Sequence, residues 1–492
     1  MHVTGMTRRM VAAAIGAAAL TMAPAALADN DAIGFSKPTF VSTSLAGGEP
    51  LVFADTKHGT LIYTSHEGTT HLYRNGVATI PANWLANYRN QVNTWYSTDN
   101  GKTWSLSTVA GAPASASFMG NPSQDQGFSD PDLTQDAGGR IYNTGINLVS
   151  DSIFSTIDGG KTWDKGTAQC HEGDRPWLAG VGPDEAYLAT NASSGGHIIM
   201  STHDGGNTCD GAPVGGGIPD AGGNGKLYWN PVQKELVEPN GGGVATWKPG
   251  AAAFTKQTAK AYSGATFAHW PSIAIDKTGT LYMVWDTAPS GTQGGGQGCP
   301  STLTGGPANT DKATPNAVLY AYSNDDGRHW SKPVTIRSGN YGDGHIEFWP
   351  WLAAGDDGHI NIVWYETDRA VDIDCAPVSL NIKTTTLTKA NQPDPQFDVV
   401  DAAGRSIHYG TVCQGGTTCV ATGEDRRLGD FFTQNPDANG CVMVASGDTT
   451  QWDNTTFTTM PISLPIIIRQ TSGPSLYTGP DGKTIDCAHP TG

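Results

Sequence analysis

Apolar and polar positions along this chain follow one short plan many times over. Ser272–Trp285 sets two β-rich runs around a polar turn with Gly279, and Trp351–Trp364 does the same around Gly355 and Gly358. Aromatic and β-branched residues suit a pleated surface, while Asp, Asn and Gly suit the tight turns between strands, so each stretch predicts a hairpin. Hairpins of this kind are read at Pro131–Asn147, Pro176–Asn191, Pro271–Asp286, Pro350–Glu366 and Asp430–Asp448. Less regular members fall at Leu51–His66 and Lys226–Val237, which makes seven starts. Repetition at this spacing predicts an all-β array of small sheets.

A second repeat supports the first. Ser97–Trp104 and Thr156–Trp163 share the form Ser/Thr-x-Asp-x-Gly-x-Thr-Trp, and Thr202–Cys209 and Ser323–Trp330 are weaker copies. The octad reads as a self-contained turn. Its Asp accepts hydrogen bonds from turn amides and from the Ser/Thr hydroxyl, its Gly takes a positive φ, and its Trp packs beneath. The octad resembles the Asp-box, or bacterial neuraminidase repeat, of the sialidase-like β-propeller superfamily. That resemblance implies a single β-propeller over most of residues 30–470, with each box joining the third and fourth strands of a blade. It also implies that the Asp-box hairpins lie on the face opposite the substrate site, so the box aspartates are structural.

Seven hairpins predict seven blades, with six, as in true sialidases, as the alternative if the Lys226 unit is an insertion. Phe35–Val41 is similar to Trp330–Ile336, which directly follows a box. The amino-terminal strand is therefore expected to complete the last blade and close the ring, removing an open sheet edge. Gly215–Gly225 and Gly291–Gly306 read as long surface loops.

Composition narrows the setting. The chain has 492 residues, 63 Gly, 30 Pro and a formal net charge of −17. Such a chain is neither a coiled coil nor generally disordered, given its 14 Trp, 15 Tyr and 13 Phe. The acidic balance argues against nucleic acid or an anionic membrane as partner. Arg8 and Arg9 precede the apolar run Met10–Leu27, and Ala26 to Ala28 is a small-x-small cleavage signature. Residues 1–28 are thus expected to be a signal peptide, with 29–492 forming a secreted propeller, extracellular or periplasmic, that has no integral membrane segment. All eight Cys lie in that mature part and none forms a Cys-x-x-Cys pair, which predicts disulfides rather than zinc ligation. Cys413 and Cys419 are close enough to staple one loop, and Cys299 with Cys375 is a candidate to join neighbouring loops.

Propeller topology gathers the starts of the inner strands around the axis, and these are rich in ionisable and aromatic groups. The catalytic candidates are Asp130, Asp174, Glu347, Tyr365 and Glu366. Glu347 leads because its neighbours Phe348 and Trp349 offer an apolar setting that raises a carboxyl pKa toward general-acid use. The substrate-binding candidates are Asp132, Arg175, Trp270, His345, Trp349, Arg426, Arg427 and Asp430. His66, which follows the second strand of the first unit, faces the same side. Trp faces stack on sugar C–H surfaces, Arg forks hold carboxylates and paired acids move protons. The expected function is a secreted, exo-acting, sialidase-like glycoside hydrolase on acidic glycans. A polysaccharide lyase and a non-catalytic glycan- or protein-binding propeller are the alternatives. True sialidases hold the substrate carboxylate with three arginines, the first in an Arg-Ile-Pro-type motif near the amino end. Leu51–His66 contains no Arg, and Arg175 before Pro176 is the nearest echo. No cofactor is expected; Asp368, Asp372 and Asp374 read first as a solvated acidic loop, with a structural calcium site as the alternative.

Overall fold

The computed structural model describes residues 32–67, 92–109, 129–146, 151–164, 173–192, 196–210, 225–264, 271–289, 313–336, 344–416, 424–453 and 462–490, with a few isolated shorter stretches. Residues 2–28, the bulk of the expected signal peptide, and Trp270 lie outside the described residues.

Seven small antiparallel sheets surround one axis. Blade one runs Leu51–Asp55, Thr60–Ser65, Asn93–Ser97 and Ser105–Leu106 from the inside outward. Blade two holds Leu133–Gln135, Ile141–Ile146 and Asp151–Thr156; Thr162–Trp163 then pairs in parallel with Thr108–Val109. Blades three, four and five begin with Gly173–Gly180, Tyr228–Asn230 and Ser272–Ile275, each a four-stranded sheet. Blade six begins with Glu347–Ala354, and two short segments share its outer edge. In blade seven, Thr433–Pro436, Val442–Asp448 and Leu464–Ser472 are joined by Gly34–Phe35 and Thr39–Phe40 from the amino end. The chain is a seven-bladed β-propeller, closed as its sequence repeats imply. The Lys226 unit supplies a full blade, so the six-blade alternative is excluded.

The octads fold as their chemistry dictates. Each follows the third strand of its blade, and the Ser or Thr hydroxyl donates to the Asp at 2.8 Å in Ser97–Asp99, 2.8 Å in Thr156–Asp158, 3.0 Å in Thr202–Asp204 and 2.9 Å in Ser323–Asp325. The same Asp oxygen accepts the amide four residues on, at 2.9 to 3.0 Å. Gly160 takes φ 82°, and a Cβ there would stand 2.8 Å from Ile62 of the neighbouring blade. Thr60, next to that turn, opens the strand Thr60–Ser65, whose other end leads to His66. The box therefore sits at the opposite end of the blade from His66.

Two disulfides match the sequence reading: Cys413–Cys419 closes a small loop and Cys299–Cys375 joins two loops 76 residues apart. Cys441–Cys487 fastens the carboxy-terminal hairpin, Pro474–Thr478 with Thr484–Asp486, to blade seven.

Candidate functional site

One feature recurs where inner strands begin. Glu49, Asp130, Arg175 and Trp349 each precede a proline and each has a positive φ, at 47°, 50°, 59° and 53°. A residue before proline ordinarily stays extended, so each position stores on the order of 1–3 kcal/mol of strain that the surrounding sheet must hold. In blades three and six the ladder also slips at this point, between Asp174 and Trp177 and between Phe348 and Trp351. The kink brings Glu49, Asp130 and Arg175 to one axial pocket with Pro131, Pro176, Trp177, Asp430 and Phe431.

The floor of that pocket is aromatic. Phe431 lies 5.4 Å from Trp177 and stacks on Trp351 at 5.7 Å, ring centre to ring centre. Above it, charges from blades one, two, three and seven meet. His66 Nε2 bonds to Glu49 Oε2 and stands 3.2 Å from Asp130 Oδ1, with Asp130's own amide nitrogen at 2.7 Å. Ser129 Oγ sets the ring, lying 3.1 Å from Nδ1 while donating to Asp130 Oδ1 at 2.7 Å. Glu49 Oε1 accepts the Asp430 amide at 2.8 Å, and Arg426 forks onto Asp430 at 2.7 and 2.8 Å. Gly429 is required beside this contact, because a Cβ there would come within 2.3 Å of Glu49.

Electrostatics separate the carboxyls. Burial raises Glu49, opposed by the charge of His66. Against its own burial, His66 is lifted to about 10 by the charge of Glu49 and the hydrogen bond to Asp130, so it keeps its proton. Asp130 is also penalised by burial, yet the hydrogen bond and charge of His66 hold it below the usual carboxylate range. Asp174 is exposed as a residue, yet desolvation of its carboxyl raises it, as does the charge of Asp130, against Arg175. The two carboxyls are thereby shifted in opposite directions. Glu49, His66 and Asp130 each also turn one donor atom inward, all within 4.8 Å of one another, so these three could hold a small cation. In this structure the same atoms are joined to each other through the ring nitrogen.

Of the sequence candidates, Asp130, Asp174, Arg175, Arg426 and Asp430 converge here. Others are engaged elsewhere. Glu347 lies in the wall between blades five and six, where Oε2 accepts the Val318 amide at 3.0 Å and Asn316 clasps its peptide group. Arg427 is 2% exposed and pairs with Asp425, so it does not face the funnel. Tyr365 is sealed in the core, stacked 3.8 Å from Phe432 with its hydroxyl 2.8 Å from Ser446 Oγ. Glu366 sits 3.5 Å from Lys383 on the second strand of blade six, and burial raises its pKa. Asp132 is fully buried on Lys226 and the Leu178 amide, His345 bonds the Thr367 carbonyl, and Trp349 points its indole N–H at Gln414. In the acidic loop, Asp368 takes the Ser379 amide, Asp372 the Asp374 amide and Asp374 the Gln414 amide, so each braces backbone. Glu49 escaped the sequence reading, although its place before Pro50 is the same signal that marks Asp130 and Arg175.

No protein-family model matches this sequence, and no curated protein sequence does. Solved structures similar to it include a protein of unknown function from Dyadobacter fermentans, at 11% identity, TM-score 0.43, over 89% of this chain and 99% of the other. The α-L-arabinofuranosidase of Fusarium graminearum, bound to an iminosugar inhibitor, aligns at 12% identity and TM-score 0.40 over 89% of this chain and 97% of its own. The NanB sialidase of Streptococcus pneumoniae aligns at 10% identity and TM-score 0.37 over 89% and 70%. These likenesses concern the propeller fold; they assign no role to any side chain here.

Proposed function

We propose that the funnel is the active site of an exported glycoside hydrolase. The observation that carries this reading is the meeting of Asp130 and Arg175 above the Trp177–Phe431 floor, with Asp174 close enough to feel both charges and the two carboxyls shifted in opposite directions. Arg175, partly exposed at the mouth, orients the polar edge of a sugar above the Trp177–Phe431 floor. Asp174, at the solvent rim, donates a proton to the departing glycosidic oxygen. Asp130, kept ionised by His66, faces the developing positive charge at the anomeric carbon, either directly or through an activated water. His66 and Ser129 position Asp130, and Arg426 locks Asp430 and Glu49 behind it. Export follows from the Met10–Leu27 leader pattern and is in keeping with the disulfides.

The experiment is a screen of the purified protein against aryl glycosides of neutral and acidic sugars, run beside Asp130→Asn and Asp174→Asn. Turnover in the native chain that both substitutions remove, with melting temperatures intact, supports the reading. A complete absence of glycoside turnover, or activity indifferent to both changes, rejects it.

A further inference from the structure

The aromatic floor closes only half of the axis. Beneath Trp351 the inner strands spread around a separate cavity of about 370 Å³ that opens toward the hairpin-turn face, where Thr56, Asp437 and Tyr477 form its rim. This volume falls within the range of small-ligand sites. Alanines on the inner strands, Ala54, Ala274, Ala353 and Ala354, make the room.

Three features say what would fit. The first is charge. Lys226 enters the cavity wall but is already bonded to Asp132 Oδ1 at 2.6 Å, and its ammonium also points to the Leu133 and Leu178 carbonyls at 3.4 and 3.3 Å. Asp437 accepts two backbone amides and pairs with Arg469 at 3.0 Å. Both ions at the wall are balanced within the protein, so a charged ligand would find no partner and would lose its hydration. The second is aromatic surface. Phe53, Tyr228, Trp229 and Tyr477 line the space and are all only partly buried. The third is the neutral hydrogen-bonding capacity left at the same walls: the Thr56 hydroxyl, the hydroxyl proton of Thr134, whose oxygen accepts the Gly180 amide at 2.8 Å, and the side-chain carbonyl of Asn435, whose amide donates to the Val52 carbonyl at 2.8 Å. Ring faces with neutral hydroxyl and amide groups between them match the alternating C–H and O–H surfaces of a sugar.

The rim is purpose-built. The ring is complete at Ser472, yet the chain continues into a hairpin tied down by Cys441–Cys487 and by Asp356, which accepts the Thr478 amide at 2.6 Å. That hairpin places Tyr477 at the cavity and beneath Lys277, whose ammonium is 4.0 Å from the ring centre. We propose that this cavity is a second binding site, for an uncharged sugar residue, reached from the face opposite the funnel and independent of whether the funnel hydrolyses anything.

The test is calorimetric titration of the full, tag-free mature chain with methyl glycosides of glucose, galactose, mannose, xylose and arabinose, with glucuronate as the charged comparator. One neutral sugar should bind saturably. Trp229→Ala and Ala354→Phe should each weaken it by about tenfold or more, while Asp174→Asn in the funnel changes it by less than about twofold. Because Trp229→Ala removes packing, Tyr477→Ala at the rim serves as a second probe, with melting temperatures recorded for all. No saturable neutral sugar, a preference for glucuronate, binding untouched by the cavity variants, or binding lost in Asp174→Asn each overturns the proposal. So does uptake of an apolar dye by a chain that binds no sugar.

Discussion

His66 Nε2 stands 3.2 Å from Asp130 Oδ1 across the seam between the first two blades, and the same nitrogen bonds to Glu49. A protonated ring so placed favours the ionised form of Asp130. If Asp130 must be ionised and Asp174 protonated for turnover, the rate should follow a bell in pH, bounded by Asp130 below and Asp174 above. His66→Gln removes the positive partner, so the acidic limb should move to higher pH while the alkaline limb stays. A pH–kcat/KM profile reads this directly, and an unmoved acidic limb takes His66 out of the mechanism.

Asp174 and Glu347 should part company under substitution. Asp174→Asn should lower kcat by roughly 10²- to 10⁴-fold with an unchanged melting temperature. Glu347→Gln should chiefly weaken the wall between blades five and six, by about 1–3 kcal/mol, since it disturbs a buried acceptor for the Val318 amide. Parallel denaturant curves and single-substrate kinetics separate the two effects.

The box carboxylates are expected to serve folding rather than turnover. Asp158 accepts from Thr156, Lys161 and Thr162, and these bonds outweigh its partial burial to hold it ionised. Asp158→Ala should cost about 1–2 kcal/mol of stability and leave the rate per folded molecule as it was. A collapse of rate at unaltered stability would falsify the separation of box from site.

Acid should weaken the fold through two histidines. Burial lowers both His197 and His408 to about 4, from 6.5 in an unfolded chain. A base with a depressed native pKa contributes stability that is full above pH 6.5 and is lost as pH falls toward 4. Together the two should remove on the order of a few kcal/mol across that window. The pair His197→Gln and His408→Gln should melt lower at pH 7.5, yet with a flatter dependence between pH 6.5 and 4.

Reduction of Cys441–Cys487 should free the terminal hairpin before the ring opens, since the ring closes through strand pairing at Gly34–Phe35 and Thr39–Phe40. Hydrogen exchange after mild reduction should speed up first at Leu476 and Tyr477; simultaneous loss of protection in Leu464–Ser472 would contradict this order.

What was legible in the sequence is what neighbours along the chain decide. An octad closes its turn with bonds spanning two to four residues, as in Ser97, Asp99 and Thr103, so its pattern reveals its shape. A hairpin such as Ser272–Trp285 shows itself through alternation and its turn residues, and seven of them with a matching amino-terminal strand dictate a closed ring. The site was legible only as a set of candidates. Asp430 meets Glu49 across 381 residues, and whether a carboxyl at a strand start faces the axis or a blade seam depends on a kink of one φ angle. Glu347 and Asp130 look alike in one dimension. The ring turns the first into the wall, bonded to Val318, and leaves the second over the aromatic floor, because burial and partners are properties of the assembled wheel and not of any one blade.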